Sequence, residues 1–254
     1  MSRRFEEQVV LITGAGAGIG QAAALAFARE GARMVVNSRS AASTHTTAEL
    51  LRAEGAEVIE VCGDVALPGT AQAMADAALQ GFGRIDVLVN NAGIVIPGTV
   101  DTITPDELDR SMATNVRSVL QLTQAVLPAM RARSAGAIVN IASIAGLKGT
   151  KNRIAYSASK GALISMSRSM ALELAPEHIR VNCVCPGMTH SPSLAARIAA
   201  SPDPAAAEAS FIAAVPMGAL GQPEQIASAI LFCADRTCSF MTGAVITVDG
   251  GKSL

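Results

Sequence analysis

One tyrosine is present in 254 residues, and it stands four positions before one of only four lysines, in Tyr156-Ser-Ala-Ser-Lys160. A spacing of four puts a phenol and an ammonium on the same face of a helix. A phenol titrates near pH 10 in water and is a poor base at neutrality, but an adjacent cation favours phenolate. Bringing it near neutrality takes about 4 kcal/mol of preferential stabilisation of the anion. Such a group can protonate a carbonyl oxygen or take the proton of an alcohol. Thirteen residues upstream of Tyr156, an apolar run ends at Ile141-Ala-Ser143. The Ser143 hydroxyl is placed to bond the same oxygen and hold it for attack at carbon.

A second feature supplies the other half of such a reaction. Thr13-Gly-Ala-Gly-Ala-Gly-Ile-Gly20 follows one apolar run and opens an alanine-rich stretch. Glycines there let the backbone turn tightly and approach a pyrophosphate, and the free N–H groups of a helix start favour its charge. Gly14, Ala17, Gly18 and Ile19 are the expected contacts. Gly14, Gly18 and Gly20 are spaced T-G-x-x-x-G-x-G, which departs from G-x-G-x-x-G. The next run ends Val35-Val-Asn-Ser-Arg-Ser40, with Ser38 and Arg39 where an acid would bond a ribose 2′-hydroxyl. A hydroxyl beside a guanidinium suits a 2′-phosphate, so NADP(H) is expected in preference to NAD(H). No second basic group accompanies it in the glycine turn, where Ala17 sits. An oxidised nicotinamide ring would share with Lys160 the task of favouring phenolate.

Positioning these residues needs alternating elements. Gln8–Thr13, Arg33–Asn37, Glu57–Cys62, Ile85–Asn90, Ala137–Ala142, Ile179–Val184 and Val245–Val248 read as strands. Stretches 18–30, 42–54, 69–82, 105–132, 155–175 and 223–235 read as helices between them. Near-continuous apolar strands, each followed by a helix, predict an α/β fold: a doubly wound Rossmann-type domain spanning 1–254, with a parallel sheet of about seven strands covered on both faces. The alanine-, serine- and proline-rich segment 190–216 is expected to be a mobile substrate lid beyond the strand ends.

Half the residues are apolar, 3% aromatic, and the net charge is −1. Neither a nucleic-acid binder nor a polybasic membrane anchor is suggested. No apolar run is long enough to span a bilayer, and Met1-Ser-Arg-Arg-Phe-Glu-Glu leads into no apolar segment, so a cytoplasmic location is expected. Cys62, Cys183, Cys185, Cys233 and Cys238 lack zinc-site spacing, and Cys183 and Cys185 should share one strand face as small buried hydrophobes. His45, His178 and His190 form no ligand pair, and no metal is assigned.

Taken together, Thr13–Gly20, Asp64, Asn90-Asn-Ala-Gly93, the Ser143/Tyr156/Lys160 set, Pro186-Gly187 and Val248-Asp-Gly-Gly251 resemble the short-chain dehydrogenase/reductase family in its form of about 250 residues, over essentially the whole chain. The resemblance implies further roles. Asp64 would bond the adenine amino group with Val65 beside the ring, and the segment with Asn91 and Gly93 would brace the fourth strand and line the cofactor channel. Asn115, in Met112-Ala-Thr-Asn-Val116, would hold a water linking Lys160 to solvent, completing an Asn115–Ser143–Tyr156–Lys160 tetrad. Lys160 would also bond the nicotinamide ribose. Pro186, Gly187 and Thr189 would fix the nicotinamide, with Ser191 replacing the family's usual threonine at the carboxamide. Assembly as a homotetramer, or a homodimer, through 105–132 and 155–175 is implied as well.

The expected reaction is hydride transfer between NADP(H) and a small-molecule carbonyl or secondary alcohol. A 3-oxoacyl-carrier-protein reductase is the specific alternative, although it would want a basic surface for an acidic carrier. A non-catalytic NADP-binding regulator of the same fold would be signalled by a substituted Tyr156 or Lys160, and both are intact. Epimerases and dehydratases that use such a tyrosine generally carry a larger C-terminal substrate domain. Arg153, three residues before Tyr156, is the candidate contact for an anionic or polar substrate; Lys148 and Lys151 lie near it in sequence.

Overall fold

The computed structural model describes residues 3–254. Among them, β1 (Val9–Ile12), β2 (Arg33–Ser38), β3 (Val58–Cys62), β4 (Val87–Asn90), β5 (Gly136–Ile141), β6 (Ile179–Pro186) and β7 (Val245–Val248) form one sheet. The strand order is β3-β2-β1-β4-β5-β6-β7, and every neighbouring pair is parallel. The chain runs outward from β1 to β3, then returns to the far side of β1 to begin β4. The crevice between the C-terminal ends of β1 and β4 is therefore where an open sheet of this kind takes a ligand.

The two faces bury different halves of each strand, because successive side chains alternate. Val10 and Ile12 pack with Ala23, Ala24 and Phe27 of α1 (Gly18–Arg29), Leu51 of α2 (Ala41–Ala53) and Ile230 of α9 (Pro223–Ala234). Val9 and Leu11 pack on the other face with Met74 of α3 (Thr70–Phe82), Val126 of α5 (Ser118–Ala132) and Met170 of α6 (Ile154–Leu174). Both faces of the central strands are apolar, as a sheet covered on both sides requires.

Two differences from the sequence expectation matter for the site. The stretch 105–132 is helical throughout, as expected, but a wide π-helical turn, Ala113–Arg117, lies in its middle between α4 (Pro105–Met112) and α5. No proline or glycine marks this turn, so periodicity reads straight through it. The segment 190–216, expected as a lid excursion, contains two helices, α7 (Pro192–Ala199) and α8 (Pro204–Ala213). The Ser191 and Asp203 side chains cap them, accepting from Leu194 N and Ala206 N. Proline at the first helical position, which reads as a breaker, suits a helix start because its missing N–H has no partner there anyway. Strand and helix ends elsewhere move by one or two residues.

Candidate active site

At the C-terminal edge of the sheet, a cavity of about 380 Å³ is lined by Ser143, Tyr156, Lys160, Pro186, Gly187, Thr189 and Ser191, among others. Ser143 leaves β5 in extended conformation, and its oxygen accepts from Ala145 N as a short 3₁₀ turn begins. That turn lies directly on α6: a Cβ at Gly146 would come within 2.6 Å of the Lys160 carbonyl carbon. Only glycine permits this approach, and it sets the Ser143 loop against the helix carrying Tyr156 and Lys160.

Tyr156 is half-buried, whereas Lys160 is 3% exposed. The Lys160 ammonium lies 5.8 Å from the Tyr156 ring centroid and donates to Ile141 O at 2.7 Å. Burial brings the Lys160 pKa down to about 8, because a desolvated ammonium is disfavoured. Burial also raises the Tyr156 phenol above its ordinary value, outweighing the Ser143 hydroxyl and the Arg153 charge, which favour phenolate. The lowering expected from Lys160 together with an oxidised nicotinamide is thus not reached in the polypeptide alone. Desolvation governs both groups there.

The amide of Asn115, fully buried in the π-helical turn, donates to Ile94 O at 3.0 Å and to Ser159 Oγ at 2.9 Å, and its oxygen accepts from Ile94 N at 2.9 Å. A Cβ at Gly93 would lie 3.2 Å from Asn115 Oδ1 and 3.4 Å from Lys160 Nζ, so the two side chains flank one glycine. The direct partners of Asn115 are backbone and hydroxyl groups.

Next to this cavity, a second one of about 310 Å³ is lined by Gly14, Ala17, Ser38, Arg39, Asp64, Val65 and Gly93. Gly14 has φ +65°, and a Cβ at Gly20 would fall 2.3 Å from Gly14 O, so the turn closes only with glycine. No side chain caps the start of α1 at Ala17. Asn91 Nδ2 donates to Thr13 O and Gly14 O, and Thr13 Oγ1 accepts from the N–H groups of Asn91 and Ala92. Asn91 therefore holds the glycine turn to the end of β4, besides lining the larger cavity with Ile19. Gly18 lines neither cavity; its Cα faces Pro192 and Ser191 instead.

This crevice fits a dinucleotide. Its glycine cradle would be filled by any Cβ, an uncapped helix start faces it, and no acid stands beside Arg39 at the end of β2. The Ser38 hydroxyl is engaged with Ser40 O, Ser43 Oγ and Thr44 Oγ1, at 3.0, 3.0 and 2.7 Å, and so ties β2 to α2. Arg39 is exposed. Asp64 accepts from Ala66 N through one oxygen. The oxygen of Ser191 caps α7, leaving its O–H free to donate.

Sequence reasoning missed several residues at the larger cavity. Arg197 and Lys252 line it from α7 and from beyond β7, as does Leu194. No motif marks them, because only the fold brings α7 and the C-terminal turn to α6. Cys183 and Cys185 are both fully buried in one small cluster with Leu163 and Ile164, consistent with a shared strand face.

Residues 14–253 match the family model described as enoyl-(acyl carrier protein) reductase. An uncharacterised oxidoreductase of Thermotoga maritima is 43% identical over 98% of each chain. Dehydrogenase/reductase SDR family member 6 of Rattus norvegicus is 37% identical over 99% of each. Levodione reductase superposes with TM-score 0.95 at 31% identity, covering 98% of this chain and 99% of that one. With a parallel seven-stranded sheet and a glycine-turn crevice already in place, these full-length similarities establish that the chain belongs to the short-chain dehydrogenase/reductase family of nicotinamide-dependent oxidoreductases.

Proposed function

We propose that the protein interconverts a carbonyl compound and its secondary alcohol with NADP(H), using Tyr156 as acid and base. The observation that carries this reading is the meeting of Ser143, Tyr156 and Lys160 on one cavity wall next to the glycine-turn crevice. A bound nicotinamide supplies the hydride in one direction and accepts it in the other. In reduction, Ser143 holds the carbonyl oxygen by a hydrogen bond, and the Tyr156 O–H delivers its proton to that oxygen as the carbon is reduced. In oxidation, the phenolate takes the alcohol proton. Lys160 is held behind the phenol by its bond to Ile141 O, where its positive charge favours phenolate and its remaining N–H groups can reach a ribose. Asn115 is a positioning residue, fixing the loop at Gly93 and Ile94 to the helix pair beneath the site. Levodione reductase, by its name, works on the carbonyl side of the same chemistry.

NADP(H) is favoured by an exposed Arg39 that has no carboxylate partner among the described residues, at a strand end without an acid. Ser40 at the start of α2 is exposed and supplies a further hydroxyl beside Ser38 and Arg39. Helices α7 and α8 form a lid over the larger cavity, and α4 to α6 form the faces through which copies pair into a tetramer.

Turnover of a panel of ketones and secondary alcohols, followed by nicotinamide absorbance with each cofactor, tests the reading. Kcat/KM is expected to be higher with NADPH than with NADH. Arg39→Ala should erase most of that preference, on the order of tenfold, by removing a charge-assisted phosphate contact. Equal efficiency with both cofactors in the unmutated protein would contradict the assignment of NADP(H).

A further inference from the structure

The larger cavity carries a charge imbalance that hydride transfer does not use. Besides Lys160, it is lined by Lys148, Lys151, Arg153, Arg197 and Lys252, and no aspartate or glutamate lines it. The chain as a whole has a net charge of −1, so this concentration of cations is local. Two of the lysines have other work: Lys148 Nζ donates to Lys252 O, and Lys252 Nζ donates to Ala214 O at 2.9 Å, tying the C-terminal turn to its surroundings. The arginines differ. Arg153 is half-buried immediately before α6, donates to Asn152 O at 2.5 Å through one guanidinium nitrogen, and makes no ion pair among the described residues. Arg197 comes from α7 on the facing side, stacked with its guanidinium 5.0 Å from the Phe211 ring centroid, again without an acid. Several other arginines are paired with acids, Arg4 with Glu30, Arg29 with Glu54, Arg52 with Glu60 and Arg131 with Glu177, but no acid lines this cavity.

Two guanidinium groups facing one cavity without a counter-ion repel each other, and partial burial adds to the cost. Both effects push the Arg153 pKa below its ordinary value, burial most and Arg197 next. A planar anion placed between them reverses both penalties and is matched by paired N–H donors. Neither side chain caps a helix: Arg153 makes no side-chain cap bond to α6, and α7 is capped by Ser191.

We propose that Arg153 and Arg197 form an anion subsite beside Tyr156, so that the ketone or secondary alcohol turned over carries a carboxylate, sulfonate or phosphate a few bonds from its reacting carbon. This rests on the hydride-transfer reading above and adds the class of substrate. The reach is short because Arg153 lines the same cavity as Tyr156 and its charge acts on the phenol.

The test compares acid and neutral forms of one skeleton: acetoacetate against methyl acetoacetate, and 3-hydroxybutyrate against its methyl ester. The unmutated protein should favour the anion by at least about tenfold in kcat/KM, through KM, and Arg153→Gln or Arg197→Gln should collapse that ratio toward one. A protein that favours the ester, or a ratio unmoved by both substitutions, overturns the subsite while leaving hydride transfer standing. If no ketone or alcohol is turned over, the hydride-transfer reading fails. The subsite is then judged by thermal protection with propanesulfonate against propanesulfonamide. Protection by the anion alone, lost in Arg153→Gln, supports it. Equal protection by the two compounds, or none, overturns it.

Discussion

Lys160 has to remain charged next to Tyr156 while almost wholly removed from water, and the structure meets that demand with a single carbonyl, Ile141 O, at 2.7 Å. Its pKa falls from an ordinary 10.5 to about 8. Between those values the unfolded chain keeps a proton that the folded one has released, so this group makes stability rise with pH. The full effect is about 3 kcal/mol at most. Cys233, whose thiol is pushed up to about 12 by burial, acts in the opposite sense above its ordinary pKa of 9.0. Comparison with Lys160→Met cancels that contribution. In denaturant melts of the cofactor-free protein from pH 7.5 to 10, the unmutated chain should gain stability relative to the variant. A constant difference across that range would show that Lys160 does not titrate there. The pairing of phenol and ammonium is readable from spacing alone, since four residues is one helical turn. What spacing does not reveal is the sign of the phenol's shift in the absence of cofactor, because desolvation depends on what the other elements cover.

At the scale of elements, the glycine turn is stiffened from outside itself. Thr13 Oγ1 accepts from Asn91 N at 3.1 Å and Ala92 N at 3.0 Å, joining the end of β1 to the end of β4. Thr13→Val keeps the shape and removes the shared acceptor, leaving the Ala92 N–H without a partner while the Asn91 N–H keeps Val89 O, at a cost of about 1–3 kcal/mol. Nucleotide affinity, read by fluorescence or calorimetric titration, should fall with it. A variant with unchanged melting and unchanged nucleotide affinity would show that the turn is self-supporting. The glycines and the threonine are visible in sequence as a strand-to-helix signal. Their brace is not, because Asn91 lies 77 positions from Gly14 and meets it only through parallel pairing of β1 with β4. The π-helical turn that carries Asn115 was illegible for a different reason. Its residues have ordinary helical propensity, and the one extra residue in each hydrogen-bonded ring leaves no trace in the apolar period. Likewise, Ser191-Pro192 and Asp203-Pro204 read as breaks in a loop, yet each is a capped helix start.

Across the whole molecule, the order β3-β2-β1-β4-β5-β6-β7 delivers segments from five parts of the chain to one edge: the glycine turn, the end of β4, Ser143 after β5, the first turns of α6, and Pro186 onward after β6. Alternation of apolar strands with amphipathic stretches is enough to foresee a parallel, doubly covered sheet, because each strand must be buried on both sides. The cationic wall of the cavity is beyond that kind of reasoning. Arg153 is suggested by its nearness to Tyr156, but Arg197 and Lys252 join it only once α7 and the chain end fold back over the strand ends. The central claim is that this convergence makes the single tyrosine the acid and base of hydride transfer, and Tyr156→Phe tests it most directly, because the ring remains and only the proton is lost. With the best substrate of the panel, kcat should drop on the order of 10²–10⁴-fold while the cofactor dissociation constant holds. Turnover close to that of the unmutated protein would contradict the account.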